Sequence, residues 1–155
     1  MDGNLEKLTQ KLTTGIYVMT AGRGEDAHVL TQTWVTQVTT DPPRVMVAIR
    51  PYRRQHELLR TGEPFCVHLL GKDQFDVALQ YTDRERPVGP EFEHRKQAAP
   101  LWPGAAAYLD CEMESHTAVG DHDIFVGRVV GGKVLREAEV LTTAHFGDPY
   151  RIGAG

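Results

Sequence analysis

Apolar and polar residues alternate most regularly between Tyr108 and His116, and this pattern predicts a β-strand. Leu109, Cys111 and Met113 alternate there with three acidic residues. Because successive side chains of a strand point to opposite faces, one face of this strand is predicted to be buried and the other exposed to solvent. The chain therefore contains at least one strand that lies between a core and water.

Six other segments, rich in β-branched and aromatic residues, are also predicted to be strands. They are residues 16–20, 28–38, 45–49, 65–70, 124–130 and 133–136. The second is expected to end at Asp41-Pro42-Pro43, because proline cannot donate to a central ladder. Gly131 and Gly132 are predicted to turn the chain into the last strand. The total is about seven strands.

Apolar residues at helical spacing predict two or three short helices, over residues 4–12, 53–60 and 73–80. Gly62 is expected to close the second helix and Asp73 to cap the third. Strands outnumber helices too strongly for a regular β–α–β alternation. We therefore predict a mainly β fold, a small closed or partly closed barrel, in a single domain that spans residues 1–155.

One long polar segment, from Thr82 to Pro103, interrupts the predicted strands. It carries four prolines, at positions 87, 90, 100 and 103. Loops of this length are usually functional lids or mobile segments, and we expect one of these here.

Composition narrows the functional classes. The formal net charge of −4 argues against a general nucleic-acid surface, so an anionic ligand would need a local basic cluster. Cys66 and Cys111 lie inside apolar segments, which predicts buried thiols in a reducing compartment rather than a disulfide. No apolar stretch reaches the roughly 20 residues of a membrane span, and the N-terminal residues lack the apolar core of a signal peptide. We expect a soluble, cytoplasmic protein.

Hydroxyl and amide side chains surround one tryptophan in the second predicted strand. The segment Thr31–Gln37 has the sequence TQTWVTQ. Such groups, with backbone N–H donors nearby, could orient a polar heteroaromatic ring. The same composition also fits a half-exposed strand whose threonines simply favour β structure.

Three arginines, Arg50, Arg53 and Arg54, lie within five positions at a predicted strand-to-helix junction. Guanidinium groups match phosphate oxygens in pairs, and a helix N-terminus adds oriented N–H groups. The segment is therefore a candidate phosphate site, with a solvated basic turn as the alternative.

His122 lies between two carboxylates, Asp121 and Asp123, beside a glycine turn. It is a candidate for acid–base chemistry or for stacking on a ring, and a surface histidine is the alternative. The seven histidines and two cysteines lack the paired spacings of a structural zinc site, so we predict no metal site. The chain also lacks GxGxxG, phosphate-loop and GxSxG motifs, so a nicotinamide cofactor would have to dock transiently.

The ordered set of these segments resembles the flavin reductase-like, FMN-binding split-barrel family. The stretch from Thr31 to Pro43, TQTWVTQVTTDPP, is similar to the flavin-facing strand and Asp-Pro-Pro turn of the branch that carries Trp-Val-Thr-Gln there. The similarity extends over residues 13–20, 56–59, 65–70, 100–101, 107–111 and 120–129, in the family's order and spacing. The resemblance implies a Greek-key-like split β-barrel that forms a homodimer with flavin near the subunit interface.

The resemblance also implies a role for each candidate residue. The flavin ring and ribityl chain would lie along Thr31, Gln32, Thr33, Trp34, Val35 and Thr36, and the phosphate near Arg50, Arg53, Arg54 and Gln55. Gln55 departs from the family, in which many members have Ser or Thr just before the His-Glu-Leu segment, so the phosphate contact is expected to be rebuilt or the preferred flavin altered. His122 would lie near the nicotinamide-facing side of the ring.

Reductases of this family pass hydride from NADH or NADPH to FMN or FAD, and the reduced flavin serves a partner monooxygenase or another acceptor. The resemblance therefore predicts an NAD(P)H-dependent flavin reductase. Two alternatives keep the fold. One is a flavin-binding or electron-transfer protein reduced by a protein partner, and the other is a split-barrel protein that binds another cofactor, such as a deazaflavin or haem.

Overall fold

The computed structural model of the protein describes residues 3–82 and 84–146, and these form three helices and eight strands. The helices are α1 (Gly3–Thr9), α2 (Arg54–Arg60) and α3 (Phe75–Gln80). The strands are β1 (Tyr17–Ala21), β2 (His28–Gln32), β3 (Val35–Thr40), β4 (Pro43–Ile49), β5 (Phe65–Leu69), β6 (Arg86–Pro87), β7 (Ala107–Val119) and β8 (His122–Val134).

All eight strands belong to one sheet, in the order β3-β4-β8-β7-β5-β1-β2-β6. Every neighbouring pair is antiparallel. The prediction of a mainly β fold with two or three short helices is confirmed. The structure has one strand more than the predicted seven, because a two-residue β6 is added and two of the predicted boundaries differ.

The sheet has to curl, because two strands that follow each other in the chain lie near its opposite ends. β3 forms one edge and β2 lies next to the other edge, yet only Thr33 and Trp34 connect them. The Cα atoms of Gln32 and Val35 are three residues apart and so lie within about 11 Å of each other. In the described residues, β2 pairs with β1 and β6, and β3 pairs with β4, so β2 and β3 do not pair with each other. The barrel is therefore split between these two strands, along residues 31–36, which we call the seam.

Two apolar clusters fill the fold. The first packs α2 on strands of the sheet and includes Met19, Leu59, Phe65 and Phe125. The second joins β1 and β2 to α3 and to the long polar segment, through Ile16, Val29, Leu70, Tyr81, Phe92 and Leu141. Burying side chains of this size stabilises a fold by about 1.5–3 kcal/mol each before entropy is counted.

Two predicted strand boundaries are wrong. Residues 28–38 form two strands, because the chain crosses the seam at Thr33 and Trp34. Gly131 and Gly132 do not turn the chain, and residues 133–136 do not form a separate strand, since β8 continues to Val134 and pairs there with Ala107. A Cβ atom at position 132 would come within 2.5 Å of the Tyr108 carbonyl oxygen. Glycine permits this close approach of two strands near a register shift.

The helices lie close to their predicted positions, with one wrong cap. Gly62, with a φ of 91°, follows α2 as predicted. Asp73 does not cap α3, which begins at Phe75, because the Asp73 carboxylate pairs with Arg136 at 2.9 Å. α1 ends at Thr9, three residues earlier than predicted. No helix of the described residues is long and apolar enough to cross a membrane.

The long polar segment is tied to the sheet. The backbone N–H of Trp102 donates to Nε2 of buried His68 at 2.9 Å. The Arg95 guanidinium donates to both carboxylate oxygens of Asp110, at 2.9 and 2.6 Å. We call these four residues, His68, Arg95, Trp102 and Asp110, the anchor region. The segment is therefore tied to the sheet at Arg95 and at Trp102.

Candidate functional site

The six residues of the seam differ in exposure. Thr31, Gln32 and Thr33 are buried, Val35 is half-buried, and Trp34 and Thr36 are exposed. The Thr31 hydroxyl donates to the carbonyl oxygen of Ala78 in α3 at 2.7 Å. The Thr36 hydroxyl donates to the carbonyl oxygen of the neighbouring Gln37 at 3.4 Å. Of the threonines predicted to face a flavin, Thr31 is therefore used inside the fold and Thr36 faces solvent.

Two buried amide side chains, Gln32 of β2 and Gln55 of α2, lie on the inner side of the seam. Gln32 Nε2 donates to Gln55 Oε1 at 3.3 Å. Gln55 Nε2 donates to the carbonyl oxygens of Met19 and His28, at 2.8 and 3.1 Å. Both N–H groups of the Gln55 amide are thus used within the chain, and the side chain points into the seam. The predicted contact between Gln55 and a phosphate has no support from this orientation.

Gln32 Oε1 is the one buried side-chain oxygen or nitrogen of the described residues that lacks a hydrogen-bond partner. An unpaired buried acceptor costs about 1–3 kcal/mol, so native proteins rarely retain one without a reason. This carbonyl fits a ligand that brings an N–H donor to the seam. The residue was predicted as a flavin contact, and its unpaired atom is compatible with that role.

The indole ring of Trp34 lies beside the imidazole ring of His122, at the start of β8. The ring centroids are 4.6 Å apart and the planes are inclined by 48°. His122 is buried, and its Nδ1 lies 2.8 Å from Asp121 Oδ1. Because a carboxylate can only accept, Nδ1 carries the proton in this hydrogen bond. The structure thus brings together two candidate residues that are far apart in the sequence.

A chain of polar contacts connects this aromatic pair to the basic segment. The hydrogen bond from His122 lowers the pKa of the Asp121 carboxyl below its ordinary value, and the nearby Arg50 guanidinium adds to that effect. Arg50 Nη1 lies 3.5 Å from the second carboxylate oxygen of Asp121. Arg50 and His122 are therefore parts of one site.

Arg50, Arg53 and Arg54, which we call the arginine corner, lie where β4 passes into α2. The Arg54 guanidinium pairs with Glu57 at 2.9 Å. The Arg53 guanidinium lies 5.3 Å from the ring centroid of the exposed Tyr52. The predicted grouping of the arginines is present, but carboxylates that the local sequence does not reveal lie among them.

Glu85, from the long polar segment, binds the first backbone N–H groups of α2. Its carboxylate accepts from the backbone N–H of Arg54 and, at 3.0 Å, from that of Gln55. A negative charge at this position interacts favourably with the helix dipole. The N–H groups that the sequence offered to a phosphate are therefore used by the protein itself. No spacing rule could have found this contact, because about 30 residues separate the partners.

His56 and Asp123 form a second link between α2 and β8. Their side chains meet at 2.7 Å and are mostly buried. The His56 ring also packs edge-on against Phe125, with centroids 5.1 Å apart. Because Asp123 directly follows His122, this pair fixes the start of β8 against the helix that carries Arg54. Sequence reasoning noted both residues but gave no reason to join them.

The two cysteines take no part in this site. Both are free and buried, as predicted. Burial raises the pKa of the Cys66 thiol well above its ordinary value and that of Cys111 to about 12. Neither sulfur is a thiolate nucleophile near neutral pH.

The groups at the seam and the corner fit a flavin. The unpaired Gln32 carbonyl can accept a ring N–H, the exposed indole of Trp34 can cover a ring face, and the arginines can approach a phosphate. The residues that the structure describes contain no group of three or more His, Cys, Asp or Glu side chains that could hold a metal ion.

A family model described as "Flavin reductase like domain" matches residues 9–153 of the chain. The chain is 37% identical over 118 residues to the "NADH-dependent flavin reductase StyB" of Pseudomonas fluorescens, and the match covers 75% of this chain and 69% of that protein. Its fold is similar to the solved structure of the styrene monooxygenase flavin reductase from Pseudomonas putida S12, with a TM-score of 0.77 and 34% identity. That match covers 90% of this chain and 91% of the other.

Longer proteins also contain a similar segment. The chain is 28% identical to part of "Diflavin flavoprotein A 1" of a Synechocystis species, and the match covers 94% of this chain. It spans only 26% of the length of that protein.

Proposed function

We propose that this protein, which belongs to the flavin reductase-like domain family, is an NAD(P)H-dependent flavin reductase. It binds FMN or FAD and transfers hydride from NADH or NADPH to the flavin. The observation that carries the proposal is the seam, where the exposed indole of Trp34 lies against His122 and where Gln32, two residues earlier in the chain, has a buried, unpaired carbonyl.

Each of these groups has a role toward the ring. The flavin, when bound, supplies the hydride-accepting chemistry. Trp34 offers a ring face, and Gln32 Oε1 accepts a ring N–H. His122, whose Nδ1 is held by Asp121, would orient the nicotinamide ring on the side of the flavin that faces it. The side chains therefore bind, orient and exclude water, and the proposal needs no acid–base triad.

The phosphate end of the flavin lies at the arginine corner. Arg50, Arg53 and Arg54 carry three positive charges in a protein whose formal net charge is −4. A phosphate is held there by guanidinium side chains, since Glu85 uses the first backbone N–H groups of α2.

The protein is further proposed to act as a single domain over residues 1–155 and as a homodimer with flavin near the interface. Large apolar side chains, including Leu5, Leu8, Val130 and Val134, are 48–59% exposed in one chain, and a second copy could cover them.

The reduced flavin serves a partner monooxygenase or another acceptor, since one similar structure is named for a styrene monooxygenase. Two free cysteines support a cytoplasmic location.

Anaerobic reduction tests the function. Protein mixed with FMN or FAD should bind the flavin, and added NADH or NADPH should bleach the flavin absorption much faster than in protein-free flavin. A His122→Asn variant should retain flavin binding and lose most of the rate. His94→Asn changes an exposed histidine of the long segment and is the matched control. Bound flavin that neither nucleotide bleaches would instead favour an electron-transfer protein reduced by a protein partner.

The phosphate placement has its own test. An Arg53→Ala/Arg54→Ala variant should weaken FMN binding at least about tenfold more than riboflavin binding, because riboflavin has no phosphate and even one lost charge-assisted hydrogen bond costs about 1.5–3 kcal/mol. An Arg23→Ala/Arg60→Ala variant removes the same charge elsewhere and should leave the ratio of the two dissociation constants, for riboflavin and for FMN, unchanged. Equal losses of both ligands in the first variant would refute the placement.

A further inference from the structure

The arginine corner is electrically balanced by carboxylates from three parts of the chain. Asp121 of the β7–β8 turn faces Arg50 at 3.5 Å, and Glu57 of α2 pairs with Arg54 at 2.9 Å. Glu85 of the long segment adds a third carboxylate at the backbone of Arg54 and Gln55. Three arginines and three carboxylates therefore share this region, so a phosphate meets a corner whose positive charge is largely offset.

Glu85 differs from the other two carboxylates. Glu57 and Asp121 lie on the surface, with side chains 58% and 79% exposed, and solvent screens their charges. The Glu85 carboxylate lies on the helix end itself and uses both oxygens on backbone N–H groups in part-buried hydrogen bonds. Its charge is therefore fixed in place at the backbone of Arg54, one of the three arginines of the corner.

We propose that Glu85 is a specificity-determining residue of flavin binding, which weakens the attraction of the arginine corner for a terminal phosphate. The proposal rests on the proposed function and deepens it. A phosphate monoester carries a charge of about −1.5 to −2 near neutral pH. Glu85 repels this charge, whereas riboflavin, which ends in a hydroxyl, is not affected. The corner therefore gives FMN a smaller advantage over riboflavin than its three arginines suggest.

A Glu85→Gln variant tests the charge and keeps most of the shape. The ratio of the Kd for riboflavin to the Kd for FMN should rise about fivefold, which is the size expected for removing one unit charge several ångströms from a phosphate near a protein surface. The riboflavin Kd should stay within about twofold of the wild-type value. The increase should shrink in about 1 M NaCl, where the Debye length falls to about 3 Å.

Glu63→Gln is the matched control. Glu63 pairs with the Arg23 guanidinium at 2.9 Å and follows the opposite end of α2. Removing its charge should leave the ratio unchanged. If Glu85→Gln is unstable, Glu85→Asp and Glu85→Asn provide a pair of equal length that differs in charge, and only the Asn variant should raise the ratio.

The outcomes separate this inference from the proposed function. If the ratio does not rise in Glu85→Gln while Arg53→Ala/Arg54→Ala loses FMN selectively, the phosphate lies at the corner and the role of Glu85 is wrong. If the arginine variant loses both ligands equally, the phosphate lies elsewhere, and the placement and the role of Glu85 both fall. If neither flavin binds the wild-type protein, the proposed function fails as well.

Discussion

The seam and the anchor region both contain buried polar side chains, but only the anchor region pairs all of them within the chain. There, His68 donates Nδ1–H to the Val18 carbonyl oxygen at 2.9 Å and accepts the Trp102 N–H at its other nitrogen. At the seam, Gln32 Oε1 has no partner and Trp34 is 41% exposed. The long segment is thus tied to the sheet by fully paired groups, whereas the seam leaves one buried polar atom unpaired.

The difference follows from what each region has to do. A paired buried network stabilises one arrangement of the backbone and leaves no group for a ligand. An unpaired buried acceptor is a local cost that a bound ligand can remove. We therefore expect substitutions in the anchor region to change stability, and substitutions of Gln32, the seam residue with the unpaired atom, to change flavin binding.

The largest expected effect is the loss of stability when the Arg95–Asp110 pair of the anchor region is broken. Arg95→Met should lower the free energy of unfolding by about 3–5 kcal/mol, because it leaves a mostly buried carboxylate without its partner. The two side chains are 24% and 15% exposed and meet at 2.6 Å. Urea denaturation measures the loss, and flavin affinity of the folded fraction should be unchanged.

The control is another arginine with a carboxylate partner nearer to solvent. Arg23 pairs with Glu63 at 2.9 Å, with side chains 44% and 26% exposed. Arg23→Ala should cost less than about 1 kcal/mol. If Arg95→Met cost no more than this, or if it reduced flavin affinity as strongly as it reduced stability, the separation of the two regions would not hold.

The second-largest expected effect is a pH dependence of the free energy of unfolding, and it originates at His68. Burial lowers the pKa of His68 from 6.5 to about 4. The unfolded chain therefore binds one more proton than the folded chain between these values. The contribution of the neutral imidazole to stability is fully present above about pH 6.5 and is lost as the pH falls through this window, by about 3 kcal/mol in total.

Urea denaturation at pH 7.5, 6, 5 and 4 measures this loss. A His68→Gln variant keeps one donor and one acceptor but does not titrate, so its stability should fall less steeply with decreasing pH. His94→Gln, which changes an exposed histidine on the long segment, should follow the wild-type slope. Identical slopes for His68→Gln and the wild type would show that His68 is not the source.

The parts of the fold that the sequence predicted depend on local patterns. The alternation around Cys111 predicted β7, and Gly62 predicted the end of α2, because each signal lies within one element. The break at Thr33 and Trp34 could not be predicted in the same way. Both residues favour β structure, and the break arises only because the next strand pairs with β4 at the opposite edge of the sheet.

The residues of the candidate site also divide into those that local sequence revealed and those that it did not. Arg50, Arg53 and Arg54 were found as a group because they are close in sequence. Glu85 was missed, since its contact with α2 depends on how the anchored segment returns to the helix. The partner of Asp123, His56, was missed for the same reason. Long-range partners decide whether a charged group is available, and a single sequence does not reveal them.

The smallest expected effects, on stability and on flavin affinity, come from substitutions of two neighbouring residues of the seam, Thr31 and Gln32. Thr31→Val removes a hydroxyl that donates to Ala78 O at 2.7 Å. It should lower the free energy of unfolding by about 1 kcal/mol, because it leaves a buried carbonyl with one hydrogen bond fewer. Flavin affinity should not change, since this hydroxyl belongs to the fold. Thermal unfolding and a flavin titration measure the two quantities.

Gln32→Leu should give the opposite result. It removes the unpaired carbonyl together with the donor to Gln55, so the two changes in stability oppose each other and the net change should stay within about 1 kcal/mol. Flavin affinity should fall about tenfold, which corresponds to losing one hydrogen bond of about 1.4 kcal/mol to the ring. Gln37→Leu, on the exposed face of β3, is the matched control and should leave affinity unchanged. If Thr31→Val weakened flavin binding more than Gln32→Leu, the hydroxyl would face the ring, and the unpaired amide would have no part in the site.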